Sequence, residues 1–344
     1  MSTADDRNVQ LIEITRVPAL IRRIDSITPP CALNTGRPRS LRRAAQGNEL
    51  TPSASELSAL TRLFSSAVFQ DMAKKGRSAL FKRLLNQTPI AQSCRPDATV
   101  GDAFDSAFKV LRVAGLRDEY VYRAAVTQKI LMGKHSLRTA SMLNEFRAGP
   151  CRADLVILNG TATVYEIKSE RDSLARLVNQ VENYKRVFAS VNIIVSESHV
   201  DSVRRAVPGE VGIMCLSSRY RLSVVQDALD CPERICPVTV FESLRAAEAA
   251  AILRALDVVV PDLPNTQRHR AMRELFAELE PCAVHREFVR TLKRTRNLAP
   301  LSDLVDQLPQ SLHAAALSIP VRRADHGRLV GAVATPLDAT MAWA

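Results

Sequence analysis

The sequence predicts an α/β fold in which a mixed sheet is flanked by helices and extended by helical segments at both ends. Three observations carry this. Apolar residues recur at spacings of three and four through residues 55–132, and the period changes after Gly133. Residues 153–158 (ADLVIL), the pair Asn159-Gly160 and residues 163–167 read as two strands joined by a tight turn, because both turn positions tolerate positive φ. A helical stripe of Leu174, Leu177, Val178, Val181, Val187 and Phe188 then leads to the apolar run 191–195 (VNIIV), the order of a strand–helix–strand unit.

Taken in order, residues 1–53 read as a poorly ordered basic leader, broken by Pro29-Pro30, Gly36-Arg37-Pro38 and Arg42-Arg43. Residues 54–115 form a helical segment, with Ser55 before Glu56 as the expected first cap. The core spans 116–230: a helix over 117–132, a short strand at 142–146, the hairpin, the Gln180 helix, the VNIIV strand, a short helix near 201–206, and strands at 212–216 and 222–225. Residues 235–325 return to helix, with expected helices at 241–256, 266–279 and 285–296. The tail 326–344, rich in Ala, Gly and Pro, is expected to fray.

Composition narrows the function classes. No run of about 18 apolar residues exists, so no transmembrane helix is expected. The N-terminus lacks a basic stretch followed by an apolar one, and the expected compartment is the cytoplasm. Seven scattered cysteines without a C-x-x-C pair read as reduced thiols rather than a zinc site. The net charge of +11 favours a polyanionic partner. Basic clusters at Lys74, Lys75, Arg77, Lys82 and Arg83, and at Arg290, Lys293, Arg294 and Arg296, are candidate backbone-contact surfaces, or else plain solvated faces. Nothing indicates a protein partner or a homo-oligomer.

The chemistry concentrates in the hairpin. Asp154 opens an otherwise apolar strand, where an unpaired carboxylate is expensive and must meet solvent, a cation or a metal. Glu166 and Lys168 stand two apart on the return strand, so both side chains point to one face. Either they form a plain salt bridge, or with Asp154 they hold a hydrated divalent cation and position an attacking water. Magnesium suits few carboxylates and several retained waters. Gln180 and Tyr184, four apart, share a face of the next helix, and Arg176 lies one turn before Gln180. His199, after the VNIIV strand, is a further minor candidate.

At these residues the sequence resembles the PD-(D/E)XK nuclease superfamily: Asp154, then Glu166-Ile167-Lys168, with Ala153 in place of the proline, and Gln180-x-x-x-Tyr184 like the Q-x-x-x-Y motif of its RecB and Cas4-like branch. Residues 145–188 (EFRAGPCRADLVILNGTATVYEIKSERDSLARLVNQVENYKRVF) resemble the sce7726 family, and the likeness reaches back through 117–137. The resemblance implies a restriction-endonuclease-like core and a nuclease, expected to act on DNA. It implies Mg²⁺ or Mn²⁺ bound by Asp154, Glu166 and an upstream acid, with Lys168 assisting the nucleophile. Glu145 is the preferred upstream acid and Glu119 the competing one. Gln180, Tyr184 and Arg176 are expected near the nucleic acid. The alternative reading is a catalytically silent nucleic-acid-binding or regulatory protein on the same fold.

Overall fold

The computed structural model describes residues 52–113 and 115–343. Most of the expected leader therefore lies outside the described residues. Its last residue, Ser53, caps the first helix, Ala54–Leu63, in place of the expected Ser55. The reason is a reciprocal capping box: the Glu56 amide donates to Ser53 Oγ at 3.3 Å while Glu56 Oε2 accepts from the Ser53 amide at 2.7 Å.

The fold is mixed α/β, as the sequence predicts. Six strands form one sheet in chain order: β1 (Ser141–Ala148), β2 (Cys151–Asn159), β3 (Thr161–Lys168), β4 (Ser190–Ser196), β5 (Gly212–Leu216) and β6 (Leu222–Gln226). The first three run antiparallel. β3, β4 and β5 are parallel, and β6 returns antiparallel. The parallel crossovers carry the helices Leu177–Lys185 and Val200–Ala206, since strands of one direction cannot be joined by a tight turn.

Side-chain alternation sends the two faces of the sheet into two separate cores. Leu155, Ile157, Tyr165, Ile167 and Ile194 pack with the N-terminal helices and with residues 298–343. Val156, Leu158, Val164, Ile193 and Ile213 pack with Leu177, Val181 and Tyr184, and with the later helices through Phe241, Ile252, Phe276 and Phe288. The helix expected over 241–256 is two helices, Pro237–Ser243 and Ala246–Ala255, parted by the extended residue Leu244.

The tail is not frayed. Residues 326–333 form the helix His326–Val333, whose Leu329, Ala332 and Val333 recur at helical spacing and are buried. Beyond it, Val100 N–H donates to Thr335 O at 2.9 Å and Leu337 N–H to Ala98 O at 2.8 Å. Trp343 sets its ring 5.8 Å from Phe81. Buried Leu329, Ala332, Val333 and Trp343 anchor the segment, and composition alone disguised that as a sign of disorder.

Candidate functional site

The register gathers three acids into one row. Asn144 pairs with Leu155 and Phe146 with Ala153, which sets Glu145 opposite Asp154; Leu155 pairs with Tyr165, which sets Asp154 opposite Glu166. Regular alternation breaks at that row. Glu145 has φ of 52°, the left-handed region that a residue with a Cβ adopts at a cost. Leu143 and Phe146, three apart, enter the same core, and so do Ala153 and Val156. The irregularity frees Asp154 Oδ2 to accept the Ile167 backbone N–H at 2.7 Å. The acid is thereby fixed by main chain, and no side chain need be spent on it.

Glu166 is held from behind. It is 1% exposed. Its Oε1 accepts from Lys168 Nζ and from Gln180 Nε2, each at 2.6 Å. The Tyr184 hydroxyl stands 2.7 Å from both Glu166 Oε2 and the Arg152 carbonyl, two acceptors for one proton. Burial, then the charge of Glu166, push the phenol's pKa far up, so it stays a donor. Gln180 Oε1 is buried beside this pair with no hydrogen-bond partner among the described residues.

The remaining acid comes from a helix. Asp118 caps the helix Glu119–Val126, accepting from Val121 N–H, and places Glu119 in its first turn. Glu119, Glu145 and Asp154 each present a carboxylate oxygen, all within 4.8 Å of one another. Arg123, one turn after Glu119, donates through Nη2 to Glu119 and to Glu145 Oε1 (3.2 Å), and through Nη1 to Asn144 Oδ1 (3.3 Å). These groups open on a cleft of about 430 Å³ whose wall includes Glu119, Asp154, Glu166, Lys168, Arg176 and Gln180.

The geometry arranges the expected residues differently in three places. Asp154, Glu166 and Glu145 do not form the converging trio; Glu119 takes the place of Glu166, which Lys168, Gln180 and Tyr184 draw back into the sheet. Glu119, the less favoured upstream acid, lines the cleft, Glu145 is not among the lining residues, and both pair with Arg123. Tyr184 is fully buried and faces Glu166, so it has no surface to offer a nucleic acid. Arg176 is exposed on the cleft wall, together with Arg152. His199 is not among the cleft-lining residues. Of the basic clusters, Arg296 is engaged by Glu248 and Lys82 donates to the Met341 carbonyl, so both residues serve packing.

Crowded carboxylates raise one another's pKa. Burial, then the neighbouring charge of Glu166, push Asp154 up to about 7, with Glu119 adding to the shift and the Ile167 N–H and Lys168 opposing it. The Cys151 thiol, on the same wall, is pushed up by burial and by Glu166 and is no thiolate nucleophile.

A sequence model of the family described as bacteriophage P4 protein cII matches residues 113–310, more than half of the chain and every residue of the cleft. The chain belongs to that family. Within the cII family, protein cII of Enterobacteria phage P4 is 28% identical over 198 residues, covering 56% of this chain and 72% of that protein. Among solved structures, the SPO1766 protein of unknown function from Silicibacter pomeroyi aligns at 18% identity over 48% of this chain and 93% of its own. Its TM-score is 0.25, too low to bear on fold or site.

In this member of the cII family the cleft offers hard oxygen donors: carboxylates from three elements and an unpartnered amide oxygen. That donor set fits Mg²⁺ or Mn²⁺ and is wrong for softer ions, which want thiolate or imidazole. A buried ammonium on Lys168, 7% exposed, stands beside it. Sequence reading missed Arg123. Its signal was present, since Glu119 and Arg123 are four apart on a helix, but such pairs are common solvated decorations.

Proposed function

We propose that this chain is a metal-dependent nuclease of the PD-(D/E)XK kind, related to the sce7726 proteins, which hydrolyses phosphodiester bonds of DNA in the cytoplasm. The observation that carries the reading is the convergence of Glu119, Glu145 and Asp154 on a cleft backed by the buried Glu166–Lys168 pair. Asp154 and Glu119 would hold Mg²⁺ or Mn²⁺, with Glu145 and Glu166 adjoining. When bound, the ion supplies Lewis-acid polarisation and lowers the pKa of its water. The chain's own residues do the rest. Lys168 keeps a desolvated positive charge where negative charge develops on the phosphate, and its bond to Glu166 fixes its direction. Gln180 and Tyr184 fix Glu166 in turn. Arg176 and Arg152 border the cleft as phosphate contacts. No described helix is long and apolar enough to cross a membrane.

A second reading, binding of nucleic acid without cleavage, is favoured by one observation: Glu119 and Glu145 already share a cation in Arg123. Metal removal separates the two. Plasmid and single-stranded DNA incubated with the purified chain should be nicked or degraded with Mg²⁺ or Mn²⁺ and left intact with excess chelator. Intact DNA under all conditions, with binding that weakens steeply as salt rises, would instead establish the second reading.

A further inference from the structure

We propose that Arg123 is a resident counter-cation of the acid cluster, and that a divalent ion binds only by displacing it from Glu119. The inference rests on the metal-site reading above and adds a residue to it. The Arg123 guanidinium is bonded to two of the three acids whose oxygens gather within 4.8 Å. Its side chain is 13% exposed, while those of Glu119 and Glu145 are 55% and 51% exposed. The positive charge is thus brought in from the protein side, and the acids meet it at the solvent side. Three carboxylates this close repel, and the guanidinium is what offsets that repulsion in the metal-free chain.

Octahedral Mg²⁺ places adjacent ligand oxygens about 3 Å apart and opposite ones about 4.2 Å apart. A guanidinium held between Glu119 and Glu145 stands where such an ion would draw the same two carboxylates together, and it carries the same sign of charge. One of the two cations must yield. Arg123 has two anchors on β1, Glu145 Oε1 and Asn144 Oδ1. Glu119 is an exposed first-turn side chain, free to rotate toward the cleft that it already lines. The Glu119–Arg123 bond is therefore the one that breaks. Arg123 sets a threshold for the ion, and removing its charge should lower that threshold.

The test is Mn²⁺ binding to the full chain, read by electron paramagnetic resonance of the free ion, with no nucleic acid present. Arg123→Met should bind Mn²⁺ about fivefold more tightly than wild type, the size expected of one partly exposed ion pair. Arg123→Lys, which keeps a charge without the planar fork, should fall between them. Equal or weaker binding by folded Arg123→Met overturns the proposal; should that variant not fold, equal or weaker binding by Arg123→Lys does so. Asp154→Asn is the separate control. If it binds Mn²⁺ as well as wild type, the metal-site reading itself fails, whatever Arg123 does.

Discussion

Asp154→Asn is expected to abolish cleavage and, at the same time, to stabilise the metal-free protein at alkaline pH. The two effects have one origin. The Asp154 carboxyl is pushed up to about 7 from an ordinary 3.8, by burial first and by Glu166 second. A raised carboxylate pKa means that the folded chain binds the proton more tightly than the unfolded chain. Its stability therefore falls as pH rises from about 4 to about 7, and stays reduced above that. Asparagine carries no charge to desolvate, and its Oδ1 can still accept the Ile167 N–H that now fixes Asp154. At pH 8 the variant should gain about 2 kcal/mol, less than the full shift implies, because the side chain is not fully buried and its charge is coupled to its neighbours. At pH 4 it should gain nothing. Cleavage should drop by at least about a hundredfold, since even groups that merely support a metal ligand are worth ten- to a hundredfold. Urea unfolding at the two pH values and a plasmid assay measure both; unchanged cleavage would remove Asp154 from the chemistry.

The second large effect concerns the later helices, which pack on the same face of the sheet as Tyr184. Glu248→Ala should cost about 2–3 kcal/mol, less than for a wholly buried pair, because the Arg296 it leaves behind is 21% exposed. Glu248 is 3% exposed and accepts four bonds: Arg296 Nε at 2.9 Å, Arg296 Nη2 at 2.8 Å, Thr295 Oγ1 at 3.1 Å and the Arg245 amide at 2.9 Å. These link the helices Ala246–Ala255 and Pro281–Thr295, and the Arg296 guanidinium lies 5.2 Å from the Phe146 ring, next to Glu145 on β1. Adding Arg296→Met should recover part of the loss, since it removes the stranded charge and keeps a side chain over the ring. The shift in urea midpoint is the readout. A loss under about 1 kcal/mol for Glu248→Ala would show the pair to be no more than a surface contact.

How much of this was legible depended on distance along the chain. Asp154, Glu166 and Lys168 could be read because one tight turn fixes their register, and Gln180 and Tyr184 because four residues make one helical turn. The β1 strand was only half visible, and the left-handed Glu145 within it leaves no trace in an alternation pattern. Glu119 and Arg123 meet that strand through the packing of a helix 22 residues away, which no local periodicity encodes. The burial of Tyr184 was hidden for the same reason: a face shared with Gln180 does not say what lies against it. The tail misled through composition, because an overall richness in Ala, Gly and Pro hides the few apolar residues, Leu329, Val333 and Trp343, that anchor it.

That tail has a consequence for how the molecule comes into being. Lys82 and Met341 are 259 residues apart in sequence and meet in one layer. The helices between Ala54 and Leu111 thus keep an uncovered apolar side until residues 298–343, far downstream, have been made. The Glu119 helix packs in that same layer, through Val121, Ala124 and Ala125. The acid it presents to the cleft therefore depends on a layer completed by residues far along the chain, whereas Asp154 and Glu166 are set opposite each other by one local hairpin.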